Sequence, residues 1–307
     1  MVADRDPAVR GLIAAMRERA RGLGRGASLL VVVVAYVTAV VLGVLAAGAA
    51  DGPAVGLAAL YVVSALVIYA WSMAVDNGSM FDAWWSVLPV VGAIWIVSTG
   101  DGDLGVRQWL VLVVVVLWGV RLTANWATAW PGLHHEDWRY LDMYEKGPKP
   151  LVSLFGVHLV PAATVYLGSL PLVTSLVDGN RNADALAWVA FAVGLAAVAV
   201  EGVADLQLRA FNRSKQPGAV IDVGLWRLSR HPNYFGEVTF WWSLWLAGLA
   251  ADPGSWWTVV GAVAITAMIR GASIPMMDRR SAERRPSFAD YAARTPALVP
   301  IPRRAAR

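Results

Sequence analysis

Residues 225–245 read LWRLSRHPNYFGEVTFWWSLW. The stretch opens polar and basic, with Arg227, Ser229, Arg230 and His231. It turns at Pro232-Asn233 and then enters an apolar, tryptophan-rich run. One carboxylate, Glu237, falls about one helical turn into that run. The apolar residues form a block rather than a stripe, so the run reads as a helix in lipid. A carboxylate in such a helix is costly without a partner, which makes Glu237 a candidate functional group. The arginines before the helix stand where a phosphate- or sulfonium-type cofactor would meet them.

The same pattern extends along the chain. Of its 307 residues, 57% are apolar and 16% charged, with a mean hydropathy of +0.53. Soluble domains carry about a quarter of their residues as charges, so the class is an all-α, polytopic membrane helical bundle. There are no cysteines, which excludes disulfides, thiolate metal sites and cysteine nucleophiles. The basic residues flank apolar blocks, so nucleic-acid binding has no support.

Working outward gives about eight spans: residues 28–50, 54–75, 83–99, 106–128, 151–177, 185–208, 234–250 and 256–274. A short amphipathic helix is expected from Pro7 to about Leu23. The first block is too long for the apolar core of a signal peptide and is read as a retained span. Pro161 and Pro171 are expected to kink the fifth span. The segment before the first span holds six arginines against three acids. The 209–233 loop and the tail are also arginine-rich. The opposite loops carry Asp101, Asp103, Asp178, Asp184 and Asp252, with Arg107 and Arg181. This bias puts both termini in the cytoplasm, in a bacterial-type inner membrane.

Several ionisable residues fall within spans or at their inner ends: Asp82, Arg121, His158, Glu201, Asp205, Arg209 and Glu237. Glu201, Asp205 and Arg209 are spaced by four and share one helix face. One such residue usually means a buried ion pair. Several at one depth, beside Arg213, Lys215, Arg227 and Arg230, point to a polar cavity open to water. Such a cavity suits a lipophilic substrate from the bilayer and a soluble cofactor. The adjacent His134-His135 pair lacks a third ligand, so no metal site is expected. No phosphate-binding glycine loop follows a strand, which argues against a Rossmann unit or an NTPase.

These residues carry a resemblance. The run Glu201-Gly-Val-Ala-Asp205-Leu-Gln207, Phe211, Gly224-Leu-Trp226 and Ser229-Arg-His-Pro-Asn-Tyr-Phe-Gly-Glu237 resembles the bacterial branch of the steroid 5α-reductase superfamily. That branch is the DUF1295-type membrane domain, related to isoprenylcysteine methyltransferases and sterol reductases. The motifs Trp118-Gly-Val-Arg121-Leu122, His135-Glu-Asp-Trp-Arg139-Tyr140 and Asp290-Tyr291 to Ala297-Leu-Val-Pro300 are similar to its middle and closing signatures. The resemblance covers roughly residues 55–302. It implies a cytoplasmic segment (1–27), an extra N-terminal helix (28–50), a seven-helix reductase-like domain (51–302) and a basic tail (303–307).

By the same resemblance, the cofactor is NADPH. The matched positions that would hold it are Arg121, Arg139, Glu201, Asp205, Arg213, Lys215, Arg227, Arg230, His231, Asn233, Tyr234, Glu237 and Tyr291. Chemically, Asn233 offers a donor and an acceptor to a carboxamide, the carboxylates suit ribose hydroxyls, and the arginines suit phosphates. The steroid reductases polarise an enone carbonyl with a tyrosine and a carboxylate. Here the approximate tyrosine position is Trp118, and Asp82 is the nearest carboxylate, so these two are the catalytic candidates. An indole donates a hydrogen bond but gives up no proton. The expected function is an NADPH-dependent reductase acting on an activated C=C bond of a steroid- or isoprenoid-like lipid. The alternatives are an S-adenosylmethionine-dependent methyltransferase of the isoprenylcysteine type and a non-enzymatic membrane protein.

Overall fold

The computed structural model describes residues 11, 15, 17–100, 103–177 and 182–302. Much of the expected Pro7–Leu23 helix lies outside the described residues, as do Asp101, Asp178, Arg181 and the 303–307 tail. Among the described residues there is no strand. The helices are α1 (Arg25–Gly48), α2 (Pro53–Val75), α3 (Trp84–Ser98), α4 (Val106–Ala129), α5 (Trp138–Tyr144), α6 (Lys149–Leu176), α7 (Ala185–Ser214), α8 (Pro232–Ala251), α9 (Pro253–Arg284) and α10 (Phe288–Arg294).

Among the described residues, seven helical stretches are long and apolar enough to cross a membrane: α1, α2, Gly78–Thr99 around α3, α4, α6, α7 and α9. The 24 residues of α1 span about 36 Å at 1.5 Å per residue, enough for a hydrocarbon core of about 30 Å. The eighth expected span exists as α8 but is less apolar than the other seven. Its asparagine, its glutamate and its tryptophans lower its hydropathy, and half of its 20 residues are buried in protein. It is an interior helix, so lipid does not have to solvate its polar atoms.

Helix ends differ from the hydropathy boundaries for a physical reason. Hydropathy marks where a helix leaves lipid, not where its hydrogen bonding stops. Thus α7 continues six residues past Leu208 to Ser214, and α9 runs on to Arg284 before Pro286. Helix α8 starts at Pro232, two residues before the expected Tyr234, because proline suits the first helical position. The irregularity in α6 is a π turn over Ser153–Leu159, ahead of Pro161. There the His158 ring bonds the Ser153 carbonyl at 2.8 Å and the Ser72 hydroxyl at 3.1 Å.

The chain divides into two compact units, residues 1–99 with 119–166 and residues 100–118 with 167–307. In the first, α1 packs a stripe of small residues, Ser28, Ala35, Ala39, Gly43 and Ala47, toward the interior. Helix α2 ends at Asp76, whose φ of 59° is a left-handed stop. In the second, α7 and α8 lie together, and α9 meets the α6 backbone. A Cβ on Gly261 would lie 2.1 Å from the Leu167 carbonyl oxygen. The first turns of α4, α7 and α9 expose Trp109, Trp188, Trp256 and Trp257. Indoles concentrate at membrane interfaces, so these four mark one boundary of the bilayer on this unit.

Candidate functional site

Each unit holds one cluster of chemistry-bearing residues. In the first, two loops are joined by hydrogen bonds. One is the Asp76–Asp82 break between α2 and α3, and the other is the loop that follows α4. The Asn77 amide donates to the Leu133 and His135 carbonyls at 2.9 and 2.8 Å. The Gly78 N–H donates to Glu136 Oε1 at 2.7 Å, and the Asp137 N–H donates to Ser79 Oγ at 2.7 Å. Lys149 pairs with Asp76 at 3.0 Å and Glu136 at 3.3 Å.

This lacing presents Asp82 to α5. Asp137 caps α5 by accepting from the Arg139 N–H at 2.8 Å, and it also holds the Arg139 side chain at 2.8 and 3.0 Å. The next residue, Tyr140, donates its hydroxyl to Asp82 Oδ1. Arg139 stands 3.7 Å from the same oxygen. The Asp82 side chain is 15% exposed, so this is a desolvated acid–phenol pair beside a cation. Burial, and then the Asp82 charge, push the Tyr140 phenol well above its ordinary value, so it stays protonated across the neutral range. Burial works against the Arg139 cation, but the Asp137 hydrogen bond and the Asp82 charge outweigh it and raise its proton affinity. Burial would also raise Asp137, yet the Arg139 hydrogen bonds and charge hold it below the usual carboxylate range.

Tyr140 was absent from the candidate list, although it follows Arg139 in the quoted motif. Sequence spacing alone could not find it, because Asp82 and Tyr140 are 58 residues apart. Arg121, from the same list, lies in the part of α4 that belongs to this unit.

The second cluster surrounds the first turns of α8. Glu237 is 3% exposed. The Trp118 indole donates to its Oε2 at 3.0 Å, and the Trp241 indole donates to its Oε1 at 2.8 Å. Trp118 is fully buried and stacks on Phe240 at 4.2 Å and 5°. Trp118, a catalytic candidate from the sequence, is thus held against Glu237. Its one ring N–H is engaged by a buried carboxylate.

Glu201 of α7 is also buried, and its backbone touches α8 at Gly236. A Cβ there would lie 2.7 Å from Glu201 Cβ and 2.8 Å from the Ala197 carbonyl oxygen. Asp205, one turn on, is half-buried. Asn233, in the first turn of α8, has a buried Oδ1 that finds no hydrogen-bond donor among the described residues.

The loop cations divide into two sets. Arg230 donates to Asp278 at 2.8 Å and to the Thr295 and Ala292 carbonyls at 2.6 and 3.1 Å. His231 bonds the other Asp278 oxygen at 2.8 Å and stacks on Tyr234 at 5.3 Å. Tyr291 donates to the Trp226 carbonyl at 2.5 Å. The Ser229 hydroxyl donates to the Leu298 carbonyl at 2.8 Å. Arg230, His231 and Tyr291 thus clasp the C-terminal segment to the loop before α8, so these three cofactor candidates have structural work in this arrangement. Arg213, Lys215 and Arg227 are exposed to water.

The matching family model is described as "Protein of unknown function (DUF1295)" and covers residues 68–295. The chain belongs to this family. Its matched stretch contains every candidate residue named above, from Asp82 to Tyr291. An uncharacterized protein of Schizosaccharomyces pombe is 25% identical over 253 residues, covering 73% of this chain and 73% of the yeast protein. No solved structure matches the chain. The family's description names no reaction, so the chemistry has to be argued from the two clusters.

Proposed function

We propose that this protein is a membrane reductase that uses NADPH to reduce an activated C=C bond of a lipophilic, enone-like substrate. The Asp82–Tyr140 pair carries the reading. A reductase of this kind needs a proton donor held away from water at the substrate's carbonyl oxygen. A phenol backed by a carboxylate is such a donor. With the proton on Asp82, the carboxylic acid can donate to the phenol oxygen and free the Tyr140 hydrogen for the carbonyl. Arg139 stabilises the carboxylate left when that proton moves on.

NADPH, when bound, supplies the hydride that adds to the β-carbon. Several of the sequence candidates have the chemistry to hold it. The unpartnered Asn233 Oδ1 can accept from a carboxamide, Asp205 can accept from ribose hydroxyls, and exposed Arg213, Lys215 and Arg227 can meet phosphates. We place these cations and both termini on the cytoplasmic side, following the arginine bias. The substrate would be a steroid- or isoprenoid-like lipid that reaches the protein through the bilayer.

One observation favours the methyltransferase alternative: Arg230 is committed to Asp278, which leaves fewer cations for the phosphates of NADPH. Calorimetric titration of the purified protein with NADPH and with S-adenosylmethionine separates the two. The reductase reading expects NADPH to bind. It also expects Tyr140→Phe to keep that affinity while enone-dependent NADPH oxidation falls by about 100-fold or more. Tight binding of the methyl donor alone would sink it.

A further inference from the structure

We infer that α1, which precedes the family's matched stretch, is a positioning element for the Asp82–Tyr140 pair and acts through Tyr36 and Ser28. This deepens the reading of that pair as a proton donor, on which its functional meaning rests. The geometry itself is independent of any reaction.

The Tyr36 hydroxyl donates to the Met80 carbonyl at 2.6 Å, two residues before Asp82. The Tyr36 ring meets Trp84, two residues after Asp82, edge to face at 4.7 Å. One α1 side chain therefore grips the backbone on one side of Asp82 and a fully buried indole on the other. The second loop is held from the start of α1. The Leu133 N–H donates to Ser28 Oγ at 3.2 Å, and Ser28 is fully buried. Arg25 donates to the Ala127, Thr128 and Trp130 carbonyls at 2.7, 3.1 and 3.0 Å. Those are the carbonyls left over where α4 ends, and in lipid such groups are costly without a donor.

Asp82 and Tyr140 come from different loops, so their contact depends on how those loops are registered. Helix α1 contacts both. A helix that served only as a membrane anchor would not need a buried serine and a half-buried phenol aimed at loop backbone. It presents a small-residue face to the interior and sends Arg25, Ser28 and Tyr36 to these two loops. Tyr36 is a positioning residue: its hydroxyl is committed to the Met80 carbonyl.

The test uses the full-length protein with 3-fluorotyrosine placed at position 140 and read by fluorine NMR in detergent. The unmodified background should give one resonance. Tyr36→Phe removes the grip on Met80 and should displace or split that resonance. Ser28→Ala should do the same through the second loop, and it serves if Tyr36→Phe does not fold. Tyr166→Phe is the control, because its hydroxyl bonds the Ala54 carbonyl, away from both loops, at 3.2 Å. It should leave the resonance in place. Melting curves are recorded for each. A lowered Tm with the resonance unmoved in both Tyr36→Phe and Ser28→Ala would mean that α1 is merely structural and would overturn the inference. So would an equal shift in Tyr166→Phe. If NADPH does not bind but the resonance responds as expected, the reductase reading fails and the positioning role stands.

Discussion

Replacing Glu237 by glutamine tests the second cluster most directly. The carboxylate accepts two indole N–H groups, from Trp118 at 3.0 Å and Trp241 at 2.8 Å. A glutamine side chain has one carbonyl oxygen and one NH2 group in its place. It can satisfy one indole, but its NH2 then faces the other indole's N–H, donor against donor. One charge-assisted hydrogen bond is lost, about 1.5–3 kcal/mol, and the other becomes an ordinary bond, weaker by about 1 kcal/mol. Removing a buried charge returns part of that. We expect a net loss near 2 kcal/mol in the ligand-free protein, which for a chain of this size lowers Tm by about 3 °C. Melting in detergent reads it. Trp118→Phe keeps the stack on Phe240 but removes one donor, so Glu237→Gln should cost less in that background. A double-mutant cycle should return a coupling of about 1.5 kcal/mol, within the range for contacting residues. An unchanged or higher Tm in Glu237→Gln, or strict additivity in the cycle, would refute the idea that the carboxylate is held by the indoles.

Three further outcomes follow from other contacts. Gly236→Ala places a methyl group 2.7–2.9 Å from Glu201 Cβ, the Ala197 carbonyl and the Glu201 backbone nitrogen. These are mostly backbone atoms that cannot swing away, so stability measured by SDS or thermal denaturation should drop by about 1–3 kcal/mol. Arg230→Gln removes the cation that ties Asp278 to the Thr295 and Ala292 carbonyls. Faster hydrogen exchange and proteolysis confined to residues 291–301 are expected, and unaltered protection there would contradict the clasp. Because the chain has no cysteine, a single Cys at position 216 can be labelled without background. It should resist an impermeant reagent in intact cells and react after lysis, and labelling in intact cells would invert the assigned topology.

The membrane class was legible from block hydropathy, since that property is additive along the chain and needs no partner. The same argument found α1, α2, α3, α4 and α6 to within a few residues. It misplaced the ends of α7 and α9, because a helix keeps its hydrogen bonds after it leaves lipid. It found α8 as well, but could not show that burial in protein is what lets α8 carry Asn233 and Glu237.

The candidate residues were legible by type, for a charge in an apolar run stands out whatever surrounds it. Their partners were not. Whether Glu237 meets a cofactor, an arginine or two indoles depends on which side chains arrive from residues 118 and 241, and spacing reveals only the second. Trp118 drew notice through its alignment with a tyrosine, yet only packing shows that its N–H is already engaged. The acid–phenol pair of Asp82 and Tyr140 has no signature in the sequence, because two loops 58 residues apart must be laced before the two groups touch. Composition and periodicity determined that this chain lives in a membrane and buries charge there. Which of those charges face each other was decided only when the loops were brought into register, since hydrogen bonds act over about 3 Å and the chain order does not encode that distance.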